Sequence, residues 1–156
     1  QCGGTGSHHD ATETMKQILE FRSIVEPAVC AQVAQTASPE LIAKLEGHLK
    51  AMKASVGKCE EFINADVAFH MEIINACGND YTIAIMNETF QRRASLGKML
   101  ILSNGYYGGI YYHGYFGWTL FRKHDGKRAR VMMEEHLQHG LYDLESDNLG
   151  QEKNDL

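Results

Sequence analysis

Residues 58–79 read KCEEFINADVAFHMEIINACGN, and this stretch decides the fold class. Its apolar residues Phe62, Val67, Phe69, Ile73 and Ile74 recur at spacings of three and four, the period of a helix with one buried face. Gly78 stands where a helix ends on a left-handed residue, and Asn79 or Asp80 is placed to cap the next helix. The buried face also carries two polar side chains. Asp66 and His70 are four residues apart, so they project from one side of the helix, a single turn apart. A carboxylate and an imidazole are thereby aimed at an apolar interior, where an uncompensated charge is costly.

Working outward, the helical period persists. Met15, Ile18, Leu19, Ile24, Val25, Ala28, Val29 and Val33 predict a long first helix from about Ala11, with a kink or a break into two pieces at Pro27. Ser38-Pro39 supplies an N-cap and a first-turn proline for a second helix, whose inward stripe is Leu41, Ile42, Leu45, Leu49 and Met52 and which ends near Gly57. A fourth helix is predicted from Tyr81 to about Leu102. It turns Ile83, Met86, Phe90, Ala94, Gly97 and Leu100 or Ile101 inward, with Arg93 close to that stripe. The Gly-rich residues 103–109 predict the clearest break in the chain, and the aromatic stretch 110–121 is compatible with a helix despite Gly114 and Gly117. Asp125 is placed to cap a last helix carrying Ala129, Met132, Met133, His136, Leu137, Gly140, Leu141 and Leu144, ahead of a polar tail expected to fray. No strand-like alternation of useful length appears. The class is therefore all-α, an antiparallel bundle of about six helices around a metal/ligand cavity or core.

The 156 residues suit one domain. Residues 11–145 are read as the folded unit, 1–10 as a linker remnant and 146–156 as the polar tail; the Ser7-His8-His9 stretch is set aside from site arguments. A net charge of -5, with no cationic run beyond Arg92-Arg93 and Lys127-Arg128, gives tight nucleic-acid binding by this chain little electrostatic support. Cys2, Cys30, Cys59 and Cys77 form no CxxC pair, which excludes a zinc ribbon or a dithiol redox motif. With no apolar run of ~18 residues and no signal-peptide core, the expectation is a cytoplasmic protein without a membrane span.

His136 lies in the apolar seam of the last helix and His113 in the aromatic stretch. One divalent metal ion would account for Asp66, His70, His113 and His136 together. One carboxylate and three imidazoles suit Zn, Ni, Mn or Fe, and the lack of a thiolate speaks against a closed structural zinc site, so open coordination positions are expected. A small organic acid could fill them, its far end held by an inward arginine: Arg22 first, Arg93 second. Taken singly, each residue has a plainer reading. Asp66/His70 can be a salt link on a helix surface, His136 a satisfied core histidine, and Arg22 or Arg93 the partner of Glu20, Glu26 or Glu88. The same constellation also describes a metal-dependent enzyme, a hydrolase or a non-haem iron type, if a general base stands beside the ion.

Three segments resemble the effector-binding FCD domain (FadR C-terminal domain) of GntR-type bacterial transcription regulators. They are Leu19-Glu20-Phe21-Arg22-Ser23-Ile24-Val25-Glu26-Pro27-Ala28, then Ala65-Asp66-Val67-Ala68-Phe69-His70 with Asn75-Ala76-Cys77-Gly78-Asn79, and lastly Asp125, Ala129 and Met133-Glu134-Glu135-His136-Leu137. The resemblance covers most of the chain. It implies an all-helical sensor, not an enzyme, that binds a divalent metal and a small organic acid effector such as a carboxylate, hydroxy acid or sugar acid. It also implies a homodimer, with the first and fourth helices at the interface, and DNA contact only through a winged helix-turn-helix domain absent from this chain. Asp66, His70 and His136 fall on three ligand positions of the family's metal-binding members. His113 lies 23 residues before His136, one more than the pattern, which would place Gly114 there. The fifth helix is accordingly expected to be shifted, distorted or partly unwound.

Overall fold

The computed structural model describes residues 8–97 and 105–152, and over these it is helical with no strand. The elements are α1 (His8–Gln35), α2 (Pro39–Ala54), α3 (Cys59–Asn75) and α4 (Asp80–Gly97). A continuous helical run follows, made of α5 (Gly105–Ile110), a π-helical segment (Tyr111–Trp118) and α6 (Thr119–Arg122), and then α7 (Gly126–Glu152). With that run taken as one, the described residues form the six-helix, all-α bundle expected. None of these helices is long and apolar enough to cross a membrane.

The ends of the helices are set by local chemistry. The Ser38 hydroxyl accepts the N–H of Leu41 at 3.1 Å, the Asn79 side chain accepts that of Thr82 at 2.9 Å, and the Asp125 carboxylate accepts that of Arg128 at 3.1 Å. Asn79 rather than Asp80 is thus the cap of α4. Gly78 takes the left-handed conformation (φ 72°) that closes the turn after α3.

α1 and α7 pack along each other in opposite directions: Gly126 meets Ala31 and Gln35, whereas Gly140, further along α7, meets Leu19. The approach at Gly126 is tight. A Cβ there would sit 2.5 Å from the Ala31 carbonyl oxygen and 2.9 Å from Cγ of Gln35. Gly126→Ala should therefore push the two helices apart and cost about 1–3 kcal/mol, read as a lower urea midpoint. An unchanged midpoint would mean that the α1–α7 seam yields without cost.

Several expectations are corrected. α1 runs through Pro27 as one helix, which removes the two-piece alternative to a kink there. The missing hydrogen bond costs roughly 3 kcal/mol, but residues on both sides of it, from Leu19 to Val33, are held in the core. Ile24 is 76% exposed, and Ala94 also faces outward. The inward seam of α1 is instead Met15, Leu19, Arg22, Glu26, Val29 and Val33, a strict alternation of four and three that passes through two charged residues. Gly105–Ile110 is helix rather than a break. Gly109 serves close packing, since a Cβ there would lie 3.3 Å from both Met52 and Phe62, whereas one on Gly108 would meet nothing within 4 Å. α7 continues to Glu152, so the first part of the polar tail is helical. Leu100, Ile101 and Ser103 lie outside the described residues.

Candidate metal centre

Asp66 and His70 come from α3, His113 from the π-helical segment and His136 from α7. Each offers one ligand-type atom, and the four atoms lie within 4.8 Å of one another. Oδ1 of Asp66 is 2.7 Å from Nε2 of His113 and 3.5 Å from Nε2 of His70. The three imidazoles converge, with ring centroids 4.6 Å apart for His70 and His113, 4.7 Å for His113 and His136, and 5.6 Å for His70 and His136. Phe69 stacks on His113 at 4.3 Å, an apolar wall that fixes the ring plane. Metal–ligand bonds are about 2.0–2.2 Å, so two atoms on opposite sides of one ion stand ~4.2 Å apart. The four atoms lie near that range, an ion among them would replace the hydrogen bond between Asp66 and His113, and the donor set of one carboxylate and three imidazoles is chemically suited to one.

The π winding explains how His113 reaches this point. Its i→i+5 hydrogen bonds enclose more residues per turn than an α-helix does. Tyr111–Trp118 can thereby absorb the one residue in excess between His113 and His136 while the flanking α5 and α6 keep their places. The expected distortion of this helix is a widening, not an unwinding. Tyr112 and His113 face inward as a result.

Sequence reasoning missed Glu26 as a member of the site. It is 1% exposed, and its two carboxylate oxygens accept hydrogen bonds from Nδ1 of His70 and Nε of Arg22, each at 2.5 Å. The signal was present in the four-residue spacing from Arg22 and in the inward seam of α1. Arg22 is itself buried, stacked over Phe90 at 4.7 Å, with Nη2 3.5 Å from both nitrogens of His70. Arg93 reaches Oδ2 of Asp66 with Nη2 at 3.5 Å, while its buried Nη1 has no partner among the described residues; nor does Nδ1 of His113. The other described histidines stand apart. His48 pairs with Glu72 at 3.1 Å, His124 donates to the Ala34 carbonyl at 3.2 Å, and His139 is exposed.

Electrostatics separates these groups into two sets. Burial by itself raises Glu26 and Asp66, yet both are held below the carboxylate range. For Glu26 the cause is the charges of Arg22 and His70 with their hydrogen bonds, which bring it to about 2. For Asp66 it is the hydrogen bonds from His113 and His70. His70 is opposed by burial but raised by Glu26 and Asp66. His113 is lowered by burial, against a partly offsetting hydrogen bond to Asp66, and His136 is pushed well down by burial and by His113 and His70. Burial thus biases His113 and His136 towards the neutral form that can ligate a metal, beside carboxylates held in the ionised form.

A family model for the FCD domain matches residues 17–139. Among solved structures, Streptococcus agalactiae GntR superposes with a TM-score of 0.71 over 86% of this chain at 18% identity, a likeness of fold. This chain spans 60% of the length of that protein. No curated protein matches the sequence significantly. The match over most of the chain and the shared helical architecture lead to one assignment: the chain belongs to the FCD domain family, the effector-binding domains of GntR-type transcription regulators.

Proposed function

We propose that this FCD domain senses a small organic acid through a divalent metal ion held by Asp66, His70, His113 and His136, and passes occupancy of the site to a DNA-binding domain on the same polypeptide. The observation that carries this reading is the convergence of four ligand-type atoms from three separate helical elements. Charge supports the choice of an anion. The carboxylates of Glu26 and Asp66 are balanced by the guanidinium groups of Arg22 and Arg93, so the double charge of an added ion would be left uncompensated in a buried site. A carboxylate or hydroxy acid filling the open positions would supply that compensation.

Of the two arginines, Arg93 suits the clamp better, because its Nη1 is buried without a partner whereas Nε of Arg22 is held by Glu26. Arg22 then backs the site from behind His70. The enzyme reading is less well served. The nearest further carboxylate, Glu26, is locked between two donors and held too acidic to take a proton near neutrality. We place the protein in the cytoplasm as a homodimer formed through α1 and α4. Supporting this are the outward apolar residues Phe21 and Ile24 on α1 and Tyr81 on α4, and a groove of about 410 Å³ where Ile18, Phe21 and Ile85 stand among the polar residues Thr14, Gln17, Glu88, Thr89 and Arg92.

Thermal denaturation against a panel of hydroxy, sugar and simple carboxylic acids tests the reading, with and without Zn²⁺, Ni²⁺ or Mn²⁺. At a ligand concentration of 100 times Kd the gain is about 2.7 kcal/mol, which for a domain of this size raises Tm by roughly 5–10 °C. The rise should require metal. A flat response across the panel with metal loaded would sink the sensor reading, and turnover of a stabilising acid would favour the enzyme.

A further inference from the structure

Glu26 is buried as deeply as the proposed ligands, yet it sits behind His70 rather than among them, and it comes from α1, 44 residues away in sequence. A buried carboxylate has a simple reading: it neutralises Arg22, its neighbour one turn back. The geometry says more. Each carboxylate oxygen is used by a different donor, Oε2 by Nε of Arg22 and Oε1 by Nδ1 of His70. Arginine has no acceptor to offer, so Oε2 is committed. The oxygen left for His70 can only accept, which requires the proton on Nδ1 to stay there and makes Nε2, on the ring edge facing Asp66, the nitrogen that gives up its proton to ligate.

We propose that Glu26 is a positioning residue of the metal centre. It holds His70 with a proton on Nδ1 and with Nε2 as the ligating atom, and so ties α1 to the ligand set. This rests on the metal-site reading above. Arg22 completes the device. Fixed over Phe90 and bonded to Glu26, it prevents the carboxylate from rotating away from the imidazole. Outer partners of this kind commonly change metal affinity ten- to hundredfold when removed.

Glu26→Gln is a sharp test because the amide is isosteric but has only one acceptor. Arg22 can only donate, so the amide oxygen turns to Arg22 and the NH₂ group faces Nδ1 of His70. The imidazole proton then moves to Nε2, where it blocks ligation. Zn²⁺ affinity is measured by chelator competition, and ¹⁵N spectra of the Zn²⁺-loaded protein report the protonation of His70. In the wild-type protein a slowly exchanging proton is expected on Nδ1 of His70. In Glu26→Gln that signal disappears and Zn²⁺ binds ten- to hundredfold more weakly. If the wild-type protein does not bind Zn²⁺, both proposals fall. If it binds and Glu26→Gln binds equally with the same His70 signals, this inference alone falls. Should Glu26→Gln fail to fold, Glu26→Asp keeps the charge beside Arg22 but shortens the reach by ~1.5 Å. It should likewise weaken Zn²⁺ binding and lose the Nδ1 signal, and unchanged values would overturn the inference.

Discussion

Asp66→Ala should reduce the metal content of the purified protein to background. Asp66 is the only carboxylate among the four ligand-type residues, and its Oδ1 stands at 2.7 and 3.5 Å from two of the three imidazoles. Without it the cluster offers imidazoles alone, and Arg93 stands without its nearest counter-charge, a poor place for a dication. The variant should also be less stable without any metal. His113 loses its hydrogen bond, and Arg93 keeps its charge with its nearest counter-charge removed. Breaking a buried charge pair on one side costs about 3–5 kcal/mol, which for this size of domain is a Tm lower by roughly 6–20 °C. Asp66→Asn separates the two effects: it preserves volume and some hydrogen bonding, so metal should be lost with a smaller fall in Tm. Elemental analysis after purification without immobilised nickel decides the matter, and equal metal in wild type and both variants would remove Asp66 from the ligand set.

Arg93→Ala should behave in the opposite manner, leaving metal in place while removing the response to acid. Nη1 of Arg93 is buried without a partner, and burial already lowers the pKa of its guanidinium. Truncation relieves an unsatisfied buried donor but also takes a counter-charge away from buried Asp66, so the ligand-free variant should be less stable than wild type, and the response to acid is read against its own ligand-free Tm. A bound carboxylate would lose a charge-assisted hydrogen bond worth about 1.5–3 kcal/mol, a ten- to hundredfold weaker apparent affinity in thermal titrations with metal present. Arg93→Lys keeps the charge but not the planar fork and should recover only part of the response. If Arg93→Ala titrates like wild type while Arg22→Ala does not, the clamp belongs to Arg22.

Most of the bundle could be read from the sequence because its helices are amphipathic and their ends carry residues with specific backbone roles, such as Ser38, Gly78 and Asp125. The difficulties arose where a residue type and its position disagree. Ile24 is apolar but lies off the seam, whereas Arg22 and Glu26 are charged and lie on it. A reading led by hydrophobicity places Ile24 inward, and although Arg22 is also read as inward, Glu26 is no more than its local partner. Only the alternation of four and three along Met15, Leu19, Arg22, Glu26, Val29 and Val33 reveals the true face. Asp66 and His70 were visible because their helix has no competing stripe. Glu26 was not, because its partner is 44 residues away and spacing rules reach only one turn. Gly109 misled in another way: a residue type that marks breaks also allows helices to approach closely.

The widened winding of residues 111–118 bears on how this chain should be set beside its relatives. A helix that hides a surplus residue in its pitch makes no visible bulge in a loop, so a comparison matched on α7 stays in step back to Trp118 and then falls one residue out of step before Tyr111. The gap belongs inside the helix, where gap penalties ordinarily forbid it. Placed there, it keeps His113 in the site; placed in the preceding Gly-rich stretch, it puts Gly114 there instead, and the proposed fourth ligand disappears from the comparison.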